Sequence, residues 1–130
     1  MAGAALHVDD IRVLVVDDEE DMRTLVRATI ELADEGLSVT GEAVDGDDAV
    51  RKWHDERPDV IVLDERMPVA TGLEAARRIL AEDPNQPVVM LTAYPDRRVQ
   101  LAAGRLGVRA CMSKDDIRVL APLLRTICRP

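Results

Sequence analysis

Chemically active side chains recur at the ends of short apolar runs. Val13-Leu14-Val15-Val16 leads into Asp17-Asp18, Val60-Ile61-Val62-Leu63 into Asp64, Val88-Val89-Met90-Leu91 into Thr92, and the segment from Val108 to Ser113 into Lys114. If these runs are parallel strands of one sheet, their carboxyl ends share an edge. Three carboxylates, a hydroxyl and an ammonium then converge there, a set suited to holding a divalent cation and accepting a phosphoryl group. Close carboxylates repel, and some take up protons unless a cation neutralises them. Mg2+ prefers oxygen ligands in octahedral geometry and keeps several waters. With it, the three aspartates and Lys114 would sum to zero charge. A free, already ionised oxygen of Asp64 can attack phosphorus in line without a general base. The cation, the Lys114 ammonium and the Thr92 hydroxyl can steady the other phosphoryl oxygens. Taken singly, these residues have ordinary uses as helix caps, turn caps, strand-end hydroxyls and solvated lysines. Independent caps, however, have no reason to fall at one rim.

The elements that must position them follow from periodicity. Residues 11–17 read as a buried strand. Met22, Leu25, Val26, Thr29 and Ile30 have helical spacing, with Asp18 or Glu19 as N-cap and Gly36 as the expected terminator. Residues 37–43 read as a more polar edge strand. Asp45-Gly46-Asp47 is a turn with a helix cap, and Ala49, Val50 and Trp53 form the next helix's apolar face. Pro58 starts the strand to Asp64. Thr71-Gly72 opens a helix with Leu73, Ala76, Ile79 and Leu80 on one face, closed by Asp83-Pro84. Strand 87–92 precedes a helix expected from about Pro95 to Gly107. Strand 108–113 leads to a last short helix ending near Cys128, with Pro122 in its first turn, because an interior Pro would cost about 3 kcal/mol. Residues 1–10 read as a loose lead-in and 11–130 as one domain. Five strands alternating with five helices imply an α/β fold, a parallel sheet covered on both faces.

Composition narrows the function classes. The 130 residues suit a single core. Trp53 and Tyr94 are the only aromatics, so the core must be aliphatic. A net charge of −8 argues against direct nucleic acid binding. No apolar stretch approaches the ~18 residues of a membrane span, and Met1–Leu6 lacks the basic start of a signal peptide. We therefore expect a cytoplasmic protein. Cys111 and Cys128 are expected to be reduced, buried thiols.

The residues Val13-Leu14-Val15-Val16-Asp17-Asp18-Glu19, Pro58-Asp59-Val60-Ile61-Val62-Leu63-Asp64 with Met67-Pro68, Gly72-Leu73-Glu74, Leu91-Thr92-Ala93 and Ser113-Lys114 resemble, in order and spacing, the receiver domain of two-component response regulators. The resemblance covers about residues 11–128. It implies a flavodoxin-like sheet of order 2-1-3-4-5, with ligands bound at the switch point between the first and third strands. It also implies Asp64 as phosphoacceptor, Asp18 and Asp64 as direct ligands of Mg2+ or another divalent cation such as Mn2+, Asp17 holding the ion through water, and the Arg66 carbonyl as a further ligand. Thr92 and Lys114 would contact the phosphoryl oxygens. The resemblance also implies a phosphohistidine on a sensor histidine kinase or phosphotransfer protein as donor; neither His7 nor His54 sits in a constellation that could be the donor. The output would be a face made from residues 95–128, offered to an output domain, a partner protein or a second copy. Arg97, Arg98, Arg105, Arg109 and Arg118 make that region basic.

Several positions depart from the family pattern. Cys111 stands where an aromatic that swings inward on activation is usual, so that coupling is in question, with Tyr94 as a substitute aromatic. Asp115 follows Lys114 where proline is frequent, and a trans Lys114–Asp115 bond is expected, because cis costs about 2.5–4 kcal/mol before a non-proline residue. Such a Lys-Asp pair resembles a subgroup that precedes helix-turn-helix output domains. Glu65 should point to solvent. Arg66 lies at a position that in the family tunes attack of water on the phosphoaspartate, and Tyr94 should stand opposite. The expected function is phosphorylation-controlled signalling, self-directed rather than a turnover enzyme. The alternatives are a degenerate receiver acting as a phosphorylation-independent scaffold, supported by Cys111 and Asp115, and a metal-dependent phosphohydrolase, disfavoured because no second acid is spaced to protonate a leaving group.

Overall fold

The computed structural model describes residues 10–129. The lead-in expected over 1–10 therefore lies almost wholly outside the described residues. Five parallel strands, β1 (Ile11–Val16), β2 (Leu37–Ala43), β3 (Val60–Leu63), β4 (Val88–Thr92) and β5 (Ala110–Ser113), form one sheet of order β2-β1-β3-β4-β5. Five helices, α1 (Glu20–Leu32), α2 (Gly46–Glu56), α3 (Gly72–Glu82), α4 (Arg97–Leu106) and α5 (Leu120–Cys128), alternate with them, and a 3-10 segment (Lys114–Val119) precedes α5. This is the flavodoxin-like doubly wound α/β fold. No helix among the described residues is long and apolar enough to cross a membrane.

Strand alternation divides the core in two. Leu14, Val16, Ile61 and Leu63 face α2, α3 and α4, packing with Trp53, Ala75, Ala76, Ile79, Val99 and Ala103. Ile11, Val13, Val15, Val60 and Val62 face α1 and α5, against Val26, Ile30, Leu120 and Leu124. The period of two puts successive side chains on opposite faces, so a strand apolar throughout must be covered on both sides. The large Trp53 is fully buried, and its indole N–H donates to Gln86 Oε1 at 3.0 Å.

Local chemistry corrects some expected boundaries. α1 ends at Leu32 rather than at Gly36. The chain then turns through Asp34 (φ 56°) and Gly36 (φ 75°), whose carbonyl already accepts from Ile11 N–H at the start of β1. Glu19 is the N-cap of α1 by backbone conformation but offers no side-chain cap. α4 begins two residues after Pro95, because Asp96 caps it by accepting from Val99 N–H at 2.9 Å. Gly107 ends α4 with φ 98°, as the sequence implies. Pro122 sits in the first turn of α5. The 3-10 segment was not foreseen; Ser113 Oγ starts it by accepting from Asp115 N–H at 3.0 Å. Every described peptide bond is trans, Lys114–Asp115 included. Cys111 and Cys128 are free and half-buried rather than fully buried.

The loop after β3 holds one strained residue. Val69 has φ 70°, and Ala70 N–H donates to Pro68 C=O at 2.8 Å across it. A bond between residues two apart with a positive central φ is the strained form of γ-turn, and a β-branched residue suits it poorly. Val69 is 76% exposed, so little packing depends on it. Relief of ~1–3 kcal/mol of strain should outweigh the ~0.5–1 kcal/mol entropic cost of glycine. Val69→Gly is therefore expected to stabilise by about 1 kcal/mol in denaturant unfolding; a loss of stability would contradict this reading of the loop.

Candidate functional site

Strand register builds the site. Val16 of β1 pairs with Leu63 of β3, so the next residues, Asp17 and Asp64, leave the sheet side by side. Asp64 N–H donates to Val16 C=O at 3.0 Å, and Asp17 N–H to Ala43 C=O at 3.1 Å. On the other side, Thr92 at the end of β4 pairs with Ser113 at the end of β5, and Lys114 follows immediately. Lys114 Nζ reaches back over the strand ends to Asp17 Oδ2 (2.9 Å) and Asp64 Oδ2 (3.4 Å). The first and last strand ends of the motif thus meet through one ammonium, although 97 sequence positions separate Asp17 from Lys114.

Asp17, Asp64 and Thr92 are buried, with 3%, 5% and 1% exposure, while Asp18 is open to solvent. The backbone fixes both buried carboxylates: Glu19 N–H donates to Asp17 Oδ1 at 2.9 Å, and Glu65 N–H to Asp64 Oδ1 at 2.8 Å. Arg23 also donates to the Asp17 carbonyl at 2.8 Å. Burial, and then the neighbouring Asp17 charge, push the Asp64 carboxyl above its ordinary pKa, although Lys114 and the Glu65 N–H pull the other way. Burial alone would lower the Lys114 pKa, but its contacts with Asp17 and Asp64 more than reverse this and leave it raised. One ammonium does not satisfy this much buried negative charge.

Oxygens of Asp17, Asp18 and Glu19 lie within 4.8 Å of one another. Among the described residues it is Glu19, rather than Asp64, that completes the tight acidic triple. From the sequence Glu19 is expected only as a helix N-cap; its place directly after the Asp pair is the signal for a further role. The donors are carboxylates that carry excess charge. Within the triple only Asp17 is buried; Asp64 beside it is buried too, and backbone N–H groups fix both carboxylates. That set fits a hard divalent cation such as Mg2+ or Mn2+.

Three further residues shape the rim. Glu65 is half-buried and its Oε1 accepts from Leu73 N–H at 2.8 Å, so it caps α3 rather than facing solvent as expected. The backbone donors at a helix start draw the carboxylate inward. Gly72 N–H donates to Glu65 C=O at 3.0 Å, and a Cβ on Gly72 would stand 2.1 Å from the Asp64 carbonyl oxygen. Only glycine permits that approach, a steric role that residue spacing does not signal. Arg66 and Tyr94 do stand opposite each other, with the guanidinium carbon 5.3 Å from the ring centroid. Tyr94 is 66% exposed and faces outward here, while Cys111 packs against the core under α4.

Comparison with known proteins agrees with this geometry. Residues 13–124 match the family model of the response regulator receiver domain. Protein CcdB of Bacillus subtilis is 37% identical over 118 residues, covering 89% of this chain and 97% of that protein. A protein-glutamate methylesterase/protein-glutamine glutaminase of Haloarcula marismortui is 41% identical over 93 residues, covering 72% of this chain; the chain spans only 24% of that relative's length. The crystal structure of the response regulator domain of Thermotoga maritima CheB superposes with a TM-score of 0.80 at 34% identity, over 91% of this chain and 93% of that one. With the sheet order, the carboxylate pair and the bridging lysine in place, this chain belongs to the response regulator receiver domain family.

Proposed function

We propose that Asp64 is the phosphoacceptor of a signalling receiver and takes its phosphoryl group from a phosphohistidine of a sensor kinase or phosphotransfer protein. The observation that carries this reading is the Lys114 ammonium held between Asp17 and Asp64 at 2.9 and 3.4 Å. An Asp64 oxygen attacks phosphorus, the phosphorus–nitrogen bond breaks, and the imidazole leaves with the bond's electron pair and takes up a proton. Lys114 and the Thr92 hydroxyl bear on the phosphoryl oxygens, and Glu65 N–H holds the second Asp64 oxygen in place. Asp17, Asp18, Asp64 and the Arg66 carbonyl would hold Mg2+ or Mn2+, which supplies charge neutralisation when bound. The added charge then favours a shift of Thr92 and of the chain entering α4, altering the face formed by α4, β5 and α5.

The test is treatment with acetyl phosphate and Mg2+, read by mass spectrometry. A gain of one phosphoryl group is expected, lost in Asp64→Ala. Failure of the native chain to gain mass would favour the scaffold reading, which Cys111 and Asp115 support.

Arg66 and Tyr94 are proposed to restrict water at the acceptor, since they lie two residues past Asp64 and Thr92 respectively and meet with the guanidinium carbon 5.3 Å from the ring centroid. The Arg66→Ala, Tyr94→Ala double variant should release phosphate about tenfold faster, the scale of a modest barrier change of ~1.4 kcal/mol. Timed loss of the phosphorylated mass after the donor is removed measures it, and an unchanged rate defeats the idea.

A further inference from the structure

Charge is distributed unevenly along this chain. Residues 1–92 carry 22 acidic and 9 basic side chains; residues 93–130 carry 3 acidic and 8 basic. The basic groups of the first part are all engaged. Arg12, Arg23, Arg27, Arg51, Lys52, Arg77 and Arg78 pair with carboxylates, Arg57 lies over Trp53 and Arg66 over Tyr94. The guanidinium groups that have no partner among the described residues are those of Arg97, Arg98, Arg105 and Arg118, three of them on α4.

Beside those arginines runs an apolar groove of about 360 Å³ between α3 and α4. Leu73, Ala102 and Leu106 supply its apolar lining, Arg77 and Arg105 stand on opposite sides, and Glu74 is the one carboxylate in the lining. Arg98 is one helical turn before Ala102 on the same side of α4. Arg77 is held only by a long contact with Glu74 (3.5 Å) between two exposed side chains, which contributes little. A groove with an apolar floor, the unpaired Arg105 guanidinium and the weakly held Arg77 at its rim, and Arg98 one turn away, matches an amphipathic helix with apolar anchors and carboxylates flanking them.

We infer that the α3–α4 groove is a docking surface for an acidic amphipathic helix of a partner protein, seating a leucine-sized side chain over Ala102 and Leu106 with carboxylates on Arg98 and Arg105. The remainder of the protein, strongly acidic, repels such a partner and steers it to this face. The inference does not depend on phosphoryl transfer at Asp64.

The test measures fluorescence anisotropy of a labelled helical peptide with Leu along one face and Glu along the other, against its Lys-for-Glu counterpart, on the full chain. The Glu peptide should bind and the Lys peptide should not. Arg98→Ala with Arg105→Ala should weaken binding about tenfold or more. Ala102→Trp, which fills the groove and keeps the charge, should weaken it likewise, while Arg118→Ala stays within about twofold. Thermal unfolding checks that each variant is folded. Equal binding of both peptides, or no loss in the double Arg variant, overturns the proposal. So does tight retention of duplex DNA that the double Arg variant loses and Ala102→Trp keeps, which would make the face a general polyanion site. Sedimentation showing self-association abolished by these same variants would make a second copy the occupant and overturn it as well.

Discussion

A Lys114→Met chain is expected to unfold at a lower denaturant midpoint at neutral pH, by up to about 3 kcal/mol, the low end of what breaking a buried ion pair costs. Lys114 contacts Asp17 and Asp64 at 2.9 and 3.4 Å, and both carboxylates are almost wholly buried. Methionine fills similar space, so the loss is electrostatic rather than a cavity. The sign of the pH dependence follows from the shifts. The raised pKa of Lys114 means that its contribution is fully present below its unfolded value and is lost only as pH rises through the folded one. The raised pKa of Asp64, from burial and then Asp17, means that its ionisation opposes folding as pH rises through the folded value. Without Lys114 that opposition grows. The variant's deficit should therefore be large at neutral pH and shrink when pH falls below the ordinary carboxylate range near ~4. Mg2+ should restore part of the neutral-pH loss, and the thermal shift it gives should exceed that of the native chain. Denaturant midpoints at two pH values, with and without Mg2+, test this. A deficit independent of both would show that Lys114 acts by packing alone. The same variant should take up phosphoryl from acetyl phosphate on the order of 10²-fold more slowly.

How far the sequence carried this site depends on what kind of force sets each part. Strand ends were legible because apolar runs stop sharply at Asp17, Asp64 and Thr92, and period-two burial leaves little freedom of register. Lys114 could be placed at the same rim because a parallel sheet puts all strand ends on one edge. Contacts set by backbone donors were not legible. Glu65 was expected to face water, yet the free N–H of Leu73 at the start of α3 draws it in at 2.8 Å. Gly36 looked like a helix terminator, but its positive φ serves the turn before β2, four residues beyond the true end of α1. Pro95 looked like a helix start, and the capping strength of Asp96 moved that start two residues on. Each miss is a choice between neighbouring residues with similar propensity, decided by a hydrogen bond that spacing does not encode. The engaged and unengaged arginines are a clearer case. Nothing in composition separates Arg78, which meets Asp47 at 2.6 Å, from Arg98, which meets nothing described.

Two glycine-to-alanine changes should move stability in opposite directions, and the contrast tests how tightly α3 is fitted to the site. At Gly104, inside α4, an added Cβ meets nothing within 4 Å. Alanine there removes backbone freedom from the unfolded chain and should stabilise by roughly 0.5–1 kcal/mol. At Gly72 the added Cβ would stand 2.1 Å from the Asp64 carbonyl oxygen and 2.9 Å from both the Asp64 carbonyl carbon and Glu65 Cα. All three are backbone atoms, so no rotamer change can relieve the clash. The start of α3 must instead draw away from the segment that carries Asp64. The Gly72 N–H bond to Glu65 C=O and the Leu73 N–H bond to Glu65 Oε1 resist that movement. Overpacking of this kind costs about 1–3 kcal/mol, more than the gain in helix propensity returns. The functional effect should be larger still, because displacing a nucleophile by about 1 Å can cost on the order of 10²-fold in rate. Gly72→Ala is therefore expected to lower the unfolding midpoint and slow phosphoryl uptake, while Gly104→Ala raises the midpoint and leaves uptake unchanged. Parallel denaturant titrations and acetyl phosphate time courses decide it. If Gly72→Ala took up phosphoryl at the native rate, the close approach of α3 to Asp64 would have no part in holding the proposed acceptor.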